Sequence, residues 1–155
     1  MTAQPGERPC GLNAWLRQGT GRFEHPATRR EPGAVLVIDA ANVIGSRPTG
    51  WWRDRAGAAS RFVEQVRVAA RAGRLSLPAV IVLEGAGRGG AAESDADGVR
   101  VVHAAHSGDD AVVAQVPPGG AGAIVVTADR LLCERVRALG AETVGPTWLT
   151  GRLGD

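Results

Sequence analysis

Ala34-Val35-Leu36-Val37-Ile38-Asp39 is an apolar run that stops on a carboxylate, and this ending recurs along the chain. Val80-Ile81-Val82-Leu83-Glu84 closes the same way, Val99-Arg100-Val101-Val102-His103 leads into Gly108-Asp109-Asp110, and Ile124-Val125-Val126-Thr127 is followed by Ala128-Asp129. Runs of Val, Ile and Leu without a polar side are expected of strands in a parallel sheet covered by helices on both faces. Neighbouring parallel strands end on one edge, and open α/β sheets bind ligands in the crevice outside that edge. Acids at these ends would share one crevice, where they cannot all stay ionised without cations. A divalent metal is therefore the first expectation.

The segments between the runs complete an alternation of strand and helix. A helix is expected over about 55–73, where Phe62, Val63, Val66 and Ala70 recur at helical spacing, and another over about 129–139, where Leu132, Val136 and Leu139 do the same. A shorter helix over about 109–116 and a short strand over 142–145 fill the remaining places, and Gly73 and Gly140 are plausible helix stops. The fold class is α/β, a three-layer parallel sheet of about five strands flanked by helices. The glycine-rich, acidic stretch 85–98 reads as a mobile loop placed to gate a substrate.

At 155 residues and 44% hydrophobic, the chain has the size and core of one domain. Residues 1–33 differ, being rich in Pro, Gly and Arg, and read as an N-terminal extension in which Gly11 to Arg17 forms a helical turn that docks on the domain or a partner. No stretch approaches the roughly 20 apolar residues that cross a bilayer, and the start lacks a signal-peptide layout. A cytoplasmic protein without membrane contact is expected. Cys10 and Cys133 lie far apart with no CxxC partner, so reduced thiols are expected rather than a disulfide framework. The net charge is only +2, but it is segregated. Arg47 to Arg74 carries seven arginines against two acids, whereas Glu84 to Asp110 carries six acids against two arginines. A basic approach beside an acidic pocket suits a metal-dependent enzyme acting on a phosphodiester polymer.

Each acid also has a structural reading. Asp39-Ala40-Ala41-Asn42 offers a metal ligand with an amide turned back beside it, or simply a turn. Asp109 and Asp110 stand at a helix start, where one acid is expected to cap; if Asp109 does, Asp110 is the better candidate to face Asp39. Asp129 could cap the helix that follows it, and Thr127 is a strand-end hydroxyl. Trp51-Trp52-Arg53-Asp54-Arg55, preceded by Arg47, has a composition suited to stacking bases while holding phosphates. Its structural alternative is one tryptophan anchoring the next helix, with Asp54 as cap. Trp148 reads as a packing residue. His103 and His106 have HxxH spacing, but no third ligand lies near in sequence, so a zinc site is not expected.

Taken together, Asp39-Ala40-Ala41-Asn42-Val43-Ile44, Gly108-Asp109-Asp110-Ala111-Val112-Val113 and Thr127-Ala128-Asp129-Arg130 resemble, in order, the three acidic motifs of the NYN domains of the PIN-like nuclease superfamily. The resemblance runs over the domain 34–150, with 151–155 as a tail. It implies a nuclease that uses Mg2+ or Mn2+, acts usually on RNA, and hydrolyses by metal-activated water. It further implies that Asp39, Asp110 and Asp129 bind metal with Asn42 as a polar partner, and that Glu84 completes the set; Asp109 is counted among the metal candidates but is expected to be structural rather than a ligand. Arg47, Trp51, Arg53, Arg55, Thr127, Arg130 and Asn42 are then the expected contacts to single-stranded or structured RNA. In these domains a glycine commonly follows the first acid, where this chain has Ala40.

No protein nucleophile is required, and with no lysine in the chain a lysine base is excluded. Two rival classes fit the same fold: a non-catalytic RNA- or protein-binding module, and a small-molecule phosphohydrolase. The second would normally carry a Gly-rich phosphate turn or an aspartyl nucleophile motif after the first strand, and Asp39-Ala40-Ala41-Asn42 is neither. A homodimer is compatible with the sequence.

Overall fold

Alternation along each strand sorts the core into two layers, one on either face of a single sheet. In a computed structural model that describes residues 34–75, 78–120 and 122–154, the first strand is β1 (Val35–Asp39), and it runs directly into a short helix, α1 (Ala40–Gly45). After a 3-10 turn at Trp51–Arg53 comes α2 (Arg55–Arg71), then β2 (Ala79–Leu83) and a second 3-10 segment at Gly85–Gly90. The chain continues through β3 (Ser94–Ala96), β4 (Val99–His103), α3 (Gly108–Ala114), β5 (Ala123–Val126), α4 (Arg130–Ala138), β6 (Glu142–Val144) and α5 (Pro146–Leu153). Asp54 caps α2 by accepting from Gly57 N at 2.8 Å.

The sheet has six strands in the order β3-β4-β2-β1-β5-β6. Five are parallel, and β3 pairs antiparallel with β4 at the edge. Leu36, Ile38, Ile81, Leu83, Ile124 and Val126 face α1, α2 and α5, packing on Val43, Phe62, Val66 and Leu149. Val37, Val82 and Val125 face the other way, onto Val112 of α3 and Leu132 and Val136 of α4. This is the three-layer α/β architecture of a mostly parallel sheet between helices that the runs led us to expect.

Three differences have physical causes. The stretch 85–98 is built rather than loose: a Cβ on Gly90 would overlap the carbonyl of Ala56, so its backbone lies directly on α2, and the same stretch contains a sixth strand. That strand turns into β4 through Asp97 and Gly98, whose φ angles of 57° and 73° are those of a two-residue hairpin, the geometry for which Asp-Gly is favoured. At the other end, residues 151–153 belong to α5, and Leu153 is buried in the core, so the tail begins later than expected. The expected extension 1–33, with its helical turn at 11–17, lies outside the described residues. The expectation of reduced thiols is not met at Cys133, since no cysteine among the described residues is free. Among the described residues no helix is long and apolar enough to cross a membrane.

Candidate functional site

β1 lies between β2 and β5, and the chain leaves it first toward β2 and later toward β5. The strand order therefore reverses beside β1, and the crevice at a reversal of this kind is where doubly wound sheets place ligands. Asp39 ends β1 at that point. Its side chain has the parity of Val37, so it emerges on the face covered by α3 and α4; Glu84 has the parity of Val82 and Thr127 that of Val125. The helices on this face begin at the same edge, and they bring Asp109 and Asp129 to it.

Hydrogen bonds fix Asp39 across the reversal. Thr127 Oγ1, fully buried, donates to Asp39 Oδ2 at 3.0 Å, and Asn42 N donates to Asp39 Oδ1 at 3.4 Å. The Asn42 side chain spans the same gap: its Oδ1 accepts from Ala128 N at 2.8 Å. Thr127 Oγ1 also accepts from Asp129 N at 3.2 Å, which ties the start of α4 into the network. Asp129 is the N-cap of α4, accepting from Leu132 N at 2.9 Å. Glu84 accepts from Gly108 N at 2.8 Å, so β2 holds the first turn of α3. A Cβ on residue 108 would overlap that carboxylate, so glycine here lets Glu84 reach the backbone without moving.

Electrostatics join the acids into one group. Burial pushes the Asp39 carboxyl up to about 6, with the neighbouring charges of Glu84 and Asp109 adding to it and the bonds from Thr127 and Asn42 opposing it. Asp109 is also raised, first by burial and then by Asp129 and Glu84, against the pull of Arg135. Asp39 thus feels Glu84 and Asp109, and Asp109 feels Asp129, Glu84 and the adjacent Asp110.

Asp110 corrects the expectation drawn for it. Its exposed side chain pairs with Arg135 at 2.8 Å, while Asp109 is the acid beside Asp39 and Glu84. The cause is the cap: Ser107, not Asp109, accepts from Asp110 N, at 3.3 Å, and begins α3. Ser107 was missed in the sequence although serine is a favoured cap.

The basic and aromatic residues are distributed differently. Half-buried Trp51 and exposed Arg55 line a cleft of about 390 Å³ beside the acids, together with Ala40, Glu84, Gly85 and His106. The Arg55 guanidinium sits 5.5 Å from the centre of the Trp51 ring. Trp52 is exposed, edge-on to Trp51 at 6.0 Å, with Arg53 over it. Arg47 is not brought to this cleft; it donates to Thr150 O at 3.3 Å and lines a separate hollow of about 170 Å³. Arg130 is exposed at the start of α4, next to Asp129. Trp148 packs against the core, as expected, with Arg152 at 4.0 Å over its ring. His103 Nε2 lies 2.7 Å from Ala91 O, and His106 is exposed on the cleft wall.

Carboxylate oxygens forced together in this way are the donors that hard divalent cations take. Among the described residues no three His, Cys, Asp or Glu side chains close around a common point. That is compatible with magnesium, which typically uses one or two carboxylates and fills its shell with water and substrate phosphate oxygens.

No family model matches the chain, and no curated protein matches it in sequence. Among solved structures it is similar to a single-substitution mutant of Rae1 (YacP) from Bacillus subtilis, with a TM-score of 0.55 and 18% identity over 77% of this chain and 74% of that one. A likeness at that identity establishes a shared fold and nothing further.

Proposed function

We propose that this chain is a divalent-metal-dependent nuclease of the NYN type that hydrolyses phosphodiester bonds in RNA. The observation that carries the reading is the electrostatic grouping of Asp39, Glu84, Asp109 and Asp129 at the reversal of strand order. The fold shared with Rae1 and the order of the acidic motifs support it.

In this reading Asp39 and Asp109 hold Mg2+ or Mn2+, with Glu84 and Asp129 at its margin. The chemistry that such an ion supplies is polarisation of the scissile phosphate and a water of lowered pKa. The chain's own residues do the rest. Thr127 and the backbone of Asn42 hold the Asp39 carboxylate in one orientation, and the Asn42 amide keeps the β1 and β5 ends in register. Glu84 sets the angle at which α3 presents Asp109. Arg55 and Arg130, both exposed beside the acids, supply the cationic surface along which a phosphate backbone approaches.

A non-catalytic RNA-binding module is the second reading, favoured by the lack of a closed three-ligand group among the described residues. A cleavage assay separates the two, using single-stranded RNA and DNA with Mn2+, Mg2+ or chelator. Cleavage of RNA that needs the ion and is lost in Asp39→Asn supports the nuclease. Binding without cleavage under every ion supports the module.

A further inference from the structure

The cleft beside the acids has a chemistry of its own. Its volume of about 390 Å³ falls in the range of small-ligand sites, roughly 300–1,000 Å³. One wall is the Trp51 indole paired with the Arg55 guanidinium, and another is made of the small residues Ala40, Gly85 and Gly87, which leave room for a flat ring. Glu84 lines this cleft and accepts from Gly108 N at the start of α3, so the cleft adjoins the acid group. A phosphate in the cleft would lie beside the charge of Glu84 and be repelled by it, whereas a neutral base would not. Trp52, edge-on to Trp51, does not line the space.

We propose that this cleft seats one unpaired nucleobase of the RNA, next to the phosphate at the acid edge, with Trp51 as its stacking platform and Arg55 on the adjoining backbone. The proposal rests on the nuclease reading for its RNA and adds the subsite that selects it. A base reaches the cleft only after leaving its own stack, so paired RNA is discriminated against.

The test reads binding, with the full chain and a short RNA carrying 2-aminopurine at successive positions, in Ca2+ buffer. One position is expected to be quenched on binding, and the duplex of the same sequence is expected to bind far more weakly. Trp51→Ala loses the quenching and about 5- to 150-fold in affinity, the range for a lost base–aromatic stack. Trp51→Phe keeps most of both, and Trp52→Ala is unchanged. Ala41 is exposed on the cleft wall, so Ala41→Leu fills the space without removing a core side chain and gives the same loss as Trp51→Ala in a protein of native circular dichroism. Wild-type affinity and quenching in both Trp51→Ala and Ala41→Leu overturn the subsite, as does equal binding of duplex. If those variants also retain ion-dependent cleavage, the subsite fails and the nuclease stands; a wild type that binds no RNA overturns both.

Discussion

Asp39 carries an acid into a position where burial and two neighbouring carboxylates resist its ionisation. Its carboxyl rises from 3.8 to about 6 in the folded chain, so the fold is favoured while the group is protonated. That stability is fully present below about pH 4 and is lost as pH rises through about 6; ionised Asp39 costs the metal-free protein on the order of 3 kcal/mol. Thermal melts of metal-free protein should therefore show a higher midpoint near pH 5 than near pH 8, and Asp39→Asn should flatten that difference and stabilise the protein at pH 8. A wild type that melts higher at pH 8 would contradict the burial of this carboxylate. The neighbouring pair gives a second prediction at this scale. Asp109→Asn is expected to lower cleavage by about 100-fold or more, in the range for loss of a charged group acting in a transition state, while Asp110→Asn, which breaks only an exposed pair worth about 0–1 kcal/mol, should stay within a few-fold of wild type. Parallel rate measurements on the two variants decide it, and the reverse ranking would restore Asp110 to the site.

At the scale of elements, the decisive feature is where α3 begins. Adjacent helical residues differ by about 100° in direction, so moving the start of a helix changes which of two successive acids faces the sheet. The sequence offered Asp109 as cap and Asp110 as ligand; Ser107 caps instead, Asp109 stands beside the other acids and Asp110 pairs with Arg135. Gly108 keeps that start against β2 by leaving room for Glu84. Gly108→Ala should therefore move Glu84 or the first turn of α3 and reduce cleavage about 10-fold or more, the scale on which small displacements are felt, with a stability loss within the usual 0.5–3 kcal/mol for point mutations. Unchanged kinetics in a folded Gly108→Ala protein would count against this contact. Two other elements were signalled but not read. Asp97-Gly98 is a hairpin dipeptide that encodes β3, and Pro146 is suited to the first turn of a helix, where α5 has it. By contrast, α1, six residues containing Asn42 and ending in Gly45, has little intrinsic helical signal and forms because Asp39 caps it at the end of a central strand.

Across the whole molecule, the strand runs were legible because a sheet buried on both faces demands unbroken Val, Ile and Leu, and few other patterns produce them. The convergence of acids was legible as a consequence: once the runs are parallel, their ends share an edge. Side-chain direction was not legible, since it depends on caps, on the register Asp39↔Val82 and on contacts such as Glu84 with Gly108 that join residues 24 apart in sequence. The same topology ties stability to ion binding. An ion that binds only the folded chain stabilises it by about 2.7 kcal/mol at 100 times its dissociation constant, so Mn2+ should raise the melting temperature of wild type and not of Asp39→Asn. The most direct test combines this with catalysis: metal-stripped protein is titrated with Mn2+ while cleavage of a single-stranded RNA is followed. Cleavage should be absent without the ion, return saturably over the concentrations that stabilise the fold, and fail to return in Asp39→Asn. Cleavage that persists in excess chelator, or that is undiminished in Asp39→Asn, would contradict a metal centre at this edge of the sheet.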